Sequence, residues 1–331
     1  MKTNRIAHGH DIRLSRFPGV RRTRNRFRPV SILIVLASLL TSLAASDVLA
    51  EIPVAVMYPS PSKFERVFEE VIEGIRENRD LRVDLIPFND KDTSADELLR
   101  RSRGNQVAVV LGHSGYRMAK QIQDHIPLVA GAALLQPDGI AGISLAADPD
   151  AFFRRLGTLT PEVERVYTVY SERINGWLIP VARKSARKYG IELIALRADD
   201  MRGAVRNYRQ MLELATSPKD AIWMPLDNIA PDQAVLPLVL EAAWNRNLVV
   251  FSNNPAHVQK GVLFGLFPDH HGLGKRLGEM AESLLSNDGN RQQVIPLMEL
   301  KLAVNLRTAA HLGIRYTQRQ QDEMAVVFSG D

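Results

Sequence analysis

The chain of 331 residues contains no cysteine. That single absence excludes disulfides, thiolate metal ligands, a cysteine nucleophile and a lipidated cysteine at the start of a mature chain. A membrane-spanning helix needs ~20 apolar residues, and the run Val30 to Ala45 (VSILIVLASLLTSLAA) falls short of that. No internal repeat, low-complexity tract or Pro/Gly-rich linker divides the remainder.

The N-terminus carries an export pattern. Met1 to Pro29 hold nine basic residues against one acid, Asp11, the apolar run follows, and Val48-Leu49-Ala50 supplies small residues for cleavage. This predicts a signal peptide over 1–50 and a mature chain from Glu51. With no lipid anchor and no spanning helix, a Gram-negative periplasm is the expected compartment, and a retained signal anchor is the alternative. The Arg21-Arg22 pair is not continued as a twin-arginine signal. The formal charge of +5 belongs largely to the leader, because residues 51–331 hold 33 basic and 35 acidic side chains. No nucleic-acid partner is therefore expected.

A mature chain of 281 residues exceeds what one hydrophobic core usually serves, so two domains are expected. Short apolar runs alternate with amphipathic stretches. Ile52 to Tyr58 and Gln106 to Leu111 read as buried strands, and Leu81 to Phe88 as a half-buried one. Ser62 to Glu77 reads as a helix with Phe64, Val67, Phe68, Val71, Ile72 and Ile75 on one face. Ser114 to Gln123 is helical, followed by strands at Ile126 to Ala133 and Gly142 to Leu145. The rhythm restarts with a helix at Asp148 to Leu156, a strand at Arg165 to Tyr170 and a helix at Gly176 to Tyr189. It ends with a strand over Leu297 to Val304 and a last helix, Leu306 to Leu312, closed by Gly313. The expected fold class is α/β, two doubly wound parallel-sheet lobes with helices on both faces.

In such sheets the loops at the carboxyl ends of the strands converge, and two facing sheets make a cleft there. Helix N-termini in that cleft suit a carboxylate. The candidate ligand-binding loops contain Tyr58 and Ser60, His113 and Ser114, Ser171 and Asn175, Asp227 and Asn228, and Asn253. Asp227 could accept from a ligand ammonium with Asn228 beside it, or one of the two caps the helix near Pro231. Ser114 touches ligand or caps the next helix, and Asn175 contacts ligand or caps the helix carrying Trp177. Tyr58 and Trp177 stack on a flat ligand or belong to the core. Asn253-Asn254-Pro255 binds or simply turns.

Two chemical alternatives have some purchase. Val107 to Tyr116 places a Gly-x-Ser turn between strand and helix, and Asp227 and His257 or His270 follow in the order a serine hydrolase uses, but Tyr116 stands where a small residue belongs. In Asp269-His270-His271 the adjacent histidines point in different directions and no partner follows at i+3 or i+4, so a helix start is expected and no metal. No cofactor is expected.

Ala221 to Asn228 (AIWMPLDN), Gly261 to Leu285 and above all Val304 to Ile314 (VNLRTAAHLGI) resemble segments of the periplasmic substrate-binding proteins of ABC importers, in the branch that includes tryptophan and tyrosine binders. The last segment is similar to that family's closing motif, Val-Asn-Leu-x-Thr-Ala-x-x-Leu-Gly-Ile. The chain departs from the family pattern at His113, in a turn that is usually Gly-Thr-Pro-like, and at Ala133-Leu134-Leu135, where a polar turn ending in Asp-Pro is common. The resemblance implies a type I periplasmic-binding-protein fold with a hinge of several crossing strands. It implies lobe one over 52–160 plus 270–295 and lobe two over 161–269 plus 296–331. It further implies a monomer without enzymatic activity that captures a small ligand, such as an amino acid or similar zwitterion. That ligand would be delivered to an ABC permease or, alternatively, reported to a membrane sensor.

Overall fold

The computed structural model describes residues 51–286 and 293–329, and the export pattern read over 1–50 lies outside them. The chain begins with β1 (Ile52–Pro59), α1 (Glu65–Arg76), β2 (Leu81–Phe88), α2 (Ala95–Arg101), β3 (Val107–Leu111), α3 (Gly112–Ile122), β4 (Leu128–Ala133) and β5 (Ala141–Ala147). All five strands pair in parallel. β3, buried at every position, is the unbroken apolar run that a sheet covered on both faces requires. The apolar positions of α1, Phe68, Val71, Ile72 and Ile75, recur at helical spacing and are buried. Phe64, expected on that same face, instead precedes the first turn and is 52% exposed.

The chain then crosses to a second sheet through α4 (Pro149–Leu159), β6 (Arg165–Ser171), α5 (Glu172–Asn175), α6 (Leu178–Lys188), β7 (Glu192–Ala198), α7 (Met201–Leu214), β8 (Asp220–Met224), α8 (Asp232–Arg246), β9 (Val249–Ser252), α9 (Pro255–Lys260) and β10 (Phe264–Pro268). It returns to the first sheet as α10 (His270–Ser283) and β11 (Val294–Leu297), and finishes on the second with β12 (Leu300–Asn305), α11 (Leu306–His311), α12 (Gln318–Asp322) and β13 (Met324–Phe328). The strand orders are β11-β5-β4-β3-β1-β2 and β13-β12-β10-β9-β8-β6-β7. Every pair is parallel except β10 with β12. Each sheet has a hydrophobic cluster on both faces, so each lobe is a three-layer sandwich.

Three differences from the sequence reading have physical causes. The apolar stretch around Leu297 is two strands in different sheets, because the chain crosses between lobes at Met298 and Glu299. Helix α4, expected with the first lobe, buries Phe152, Phe153 and Leu156 among Trp223, Phe251 and Phe264 of the second sheet. Leu306–His311 is not the last element, since an alternating Met324–Phe328 pairs with β12 as a further edge strand.

Helix α10 is held to lobe one by an unusually close approach to α1. A Cβ on Gly74 would lie 2.1 Å from the His271 carbonyl oxygen, and one on Gly274 would lie 2.0 Å from that of Val71. The three crossovers are tied together beside this pair. Asp148 N–H donates to Leu297 O at 2.8 Å, Asp269 N–H donates to Glu299 O at 2.9 Å, and Lys301 Nζ pairs with the Asp269 carboxylate at 3.0 Å.

Three predictions arise from this frame. Gly274→Ala must push the helices apart and should lower stability by about 3 kcal/mol in urea titrations. Gly157→Ala in α4, where a Cβ meets nothing within 4 Å, should be neutral or stabilising. The Asp269 carboxyl is pushed up by burial, but its ion pair with Lys301 and the nearby Gly272 N–H outweigh this and leave it below its ordinary value. A depressed carboxyl stabilises the fold fully above about pH 4 and loses that contribution as pH falls through the lower folded value. Melting should therefore show Asp269→Asn less stable than the parent at pH 7, with the gap closing toward pH 3.

Candidate functional site

The carboxyl ends of both sheets face the cleft between the lobes, and on lobe one they enclose a cavity of about 530 Å³. Gly112 links β3 directly to α3 with φ +76°, and a Cβ there would come within 2.9 Å of the Phe68 ring, so glycine is required on both counts. Because the helix starts at Gly112, Ser114 lies inside its first turn and does not cap it. The N-cap position is Leu111, without a side-chain bond to the helix. The Ser114 hydroxyl instead donates to Asp90 and accepts from Arg117 Nη2 at 3.2 Å.

The cavity floor is the end of β4. Its register against β5 shifts between Ala130 and Ala133, and Ala132 has φ +54°. This bulge presents Ala132, Ala133 and Leu134 to the cavity. Beneath it the wholly buried Ser144 hydroxyl accepts from the Leu135 N–H at 3.0 Å and donates to the Leu135 carbonyl at 3.1 Å, which pins the turn. Pro59, Pro61, Phe64 and Phe68 form one wall, and Lys63, Asp90, His113 and Ser114 supply the polar rim.

The lobe-two candidates form a connected network. Asp227 Oδ2 accepts from Ser171 N–H and from Asn175 Nδ2, both at 2.8 Å, and Oδ1 accepts from Ile229 N–H at 2.9 Å. Asn175 also donates to Leu226 O at 3.1 Å, so it caps no helix. Neither Asp227 nor Asn228 caps α8, whose N-cap position is Pro231. Asn228 is exposed beside this network. Asn253 is buried and accepts from Trp223 Nε1 at 2.9 Å, while Asn254 caps α9 through the Ala256 N–H.

Of the nine sequence candidates, His113 and Ser114 line the lobe-one cavity. Tyr58 packs near Phe68 with ring centroids 6.4 Å apart, and Ser60 donates to Glu65. Ser171, Asn175 and Asp227 brace one another, Asn228 faces solvent, and Asn253 is committed to Trp223. Sequence reasoning missed Lys63, Phe64, Asp90 and Leu145 as lining residues, whereas Leu134 lies in the Ala133-Leu134-Leu135 turn that it singled out. Asp90 had a legible signal, since Asn89-Asp90 directly follows β2, a strand of the same sheet. Trp177 packs against core clusters of both sheets, and its Nε1 is buried without a protein acceptor.

The hydrolase arrangement is not assembled. Ser114 is bonded to Asp90 and Arg117, whereas His257 contacts Ser252 at 2.8 Å and Asp232 at 2.9 Å. Ser252 is itself fully buried and accepts from the Asn254 N–H. Among the described residues no three metal-ligating side chains converge.

Two doubly wound lobes joined by three crossovers, with a cavity at the strand ends, define a type I periplasmic-binding-protein fold. The chain belongs to the ABC transporter substrate binding protein family, whose sequence model matches residues 114–325. Family members bind solutes and do not catalyse reactions. No curated protein matches the chain. Among solved structures, the ABC domain from Streptococcus pneumoniae in complex with L-Trp is 18% identical, with TM-score 0.52, over 84% of this chain and 100% of that one. The ligand-free, open structure of CD0873, a substrate binding protein with adhesive properties from Clostridium difficile, is 14% identical with TM-score 0.58, over 84% and 100%. A conserved domain protein from Vibrio cholerae O1 biovar El Tor is 18% identical with TM-score 0.50, over 83% and 99%. At these identities the likeness is one of fold.

The Asp227 network gives a prediction that needs no ligand. Asp227→Ala strands the Ser171 and Ile229 N–H groups and removes charge-assisted bonds, and should cost about 2 kcal/mol in urea unfolding of the apo protein. A loss of binding in that variant is therefore meaningful only beside its stability.

Proposed function

We propose that this is an exported solute-binding protein that captures a small organic solute between its lobes in the periplasm and delivers it to an ABC permease. The observation that carries the reading is the 530 Å³ cavity at the strand ends of lobe one, lined by that lobe alone. Closure about the crossovers at Asp148, Asp269 and Glu299 would bring the loops bearing Ser171, Asn228 and Asn253 against a solute seated there. The closed state is then stabilised only when the solute makes contacts from both sides. Ser114, His113, Tyr58 and Ser60 are the proposed lobe-one contributors, with Asp227 and Asn175 holding the opposing loops in place.

An anionic group on the solute suits the uncapped start of α3, whose first-turn N–H groups carry partial positive charge. An amino acid, as in the L-Trp complex of the pneumococcal neighbour, fits that description. The proposed lobes correspond to the two sheets, and export rests on the pattern over 1–50. Among the described residues no helix is long and apolar enough to cross a membrane.

The test is thermal melting of residues 51–331 against amino acids, organic acids, purines, sugars and small peptides. A solute at 100 times its dissociation constant should add about 2.7 kcal/mol and raise the midpoint by several degrees. The same solute should change the emission of Trp177, which touches both lobes, and Trp177→Phe should remove that change while Trp223 and Trp244 remain. A panel without any shift would overturn solute capture and leave a protein partner as the reading.

A further inference from the structure

Resting on the solute-binding reading, the geometry points to a narrower ligand class: a monocarboxylate with an aromatic or branched aliphatic body and no α-ammonium group. The lobe-one cavity is walled by Pro59, Pro61, Phe64, Phe68, Leu134 and Leu145. Phe64 is 52% exposed and continuous with buried Phe68, so a solute lying in the cavity covers apolar surface that the apo protein leaves wet. A sugar or other polyol would bury its hydroxyls against these side chains without partners, which is unfavourable.

The charges around the cavity are unequal. The cationic side chain of Lys63 forms no ion pair among the described residues and stands over the Phe64 ring at 4.9 Å. Asp90 is the acidic side chain lining the cavity, and it is already held by the Ser114 hydroxyl and lies 4.0 Å from Arg117 Nη2. Across the cleft the Asp227 carboxylate accepts three protein N–H bonds. A ligand carboxylate thus has an uncommitted cation at the rim. A ligand ammonium would share that rim with the Lys63 cation and would meet Asp90, whose charge Arg117 already partly offsets.

The experiment titrates the purified protein with pairs that differ only in the ammonium or the carboxylate. 3-Phenylpropanoate is compared with phenylalanine and with 3-phenylpropanamide, and 4-methylpentanoate with leucine, each by calorimetry and by melting. The acids should bind at least about tenfold more tightly than either the amino acids or the amide. Phe64→Ala, at an exposed position, should weaken the acids about tenfold while leaving the apo melting midpoint unchanged, and Lys63→Gln should weaken the acids toward the amide. Equal or tighter binding of the amino acids overturns the inference and leaves solute capture standing. Binding confined to sugars, purines or peptides does the same. No response to any solute overturns both.

Discussion

Helices α1 and α10 meet backbone to backbone. At Gly74 and Gly274 the separation leaves no room for a side chain on either helix, and the rest of the architecture follows from that contact. Helix α10 comes after all of the strands β6 to β10 in the sequence, yet it is anchored beside the second element of the chain. The polypeptide must therefore cross from the second sheet back to the first at Asp269 and return again at Met298 and Glu299. With the earlier passage at Asp148, this gives three adjacent connections, bonded to one another through Leu297, Glu299 and Lys301. The two lobes are thus joined by one strip of bonded connections.

The two halves of the cleft are made differently. Lobe one offers a concave, largely apolar surface shaped by a glycine in a left-handed conformation and a bulge at the end of β4. Lobe two offers loops braced by a single carboxylate that gathers the ends of β6 and β8. Asp227 is thus a structural group: without it the Ser171 and Ile229 N–H groups lack a partner. Rigid loops on one side and a preformed hollow on the other reduce the ordering that capture requires, which favours affinity for a small solute.

Much of the fold was legible because both periodicities were clean. The buried strands β1, β3 and β6 and the helices α1, α3 and α6 follow from apolar spacing, and the closing motif at Val304 to Ile314 resembles the family's. What was not legible depends on contacts between distant segments. Leu297 and Leu300 belong to different sheets although two residues separate them, and no local pattern encodes a change of lobe. Ser114 reads as a cap, but the left-handed Gly112 lets the helix start two residues earlier and frees that hydroxyl for Asp90. Phe64 has the right spacing for the core and yet precedes the first turn, so its ring faces the cleft. Ser144, which pins the floor of the cavity, is an unremarked serine in an apolar strand until its partner Leu135 is in place.

The order in which the strands occur along the chain bears on its biogenesis. Sheet one receives β11, and its covering helix α10, only after the whole of β6 to β10 has been made, and sheet two is completed by β12 and β13 near the C-terminus. Neither sandwich can seal its core from an N-terminal fragment, so the loop closures that create the lobes come late and are long in sequence. Such postponed closure leaves a partly made chain unfolded until nearly all of both sheets is present.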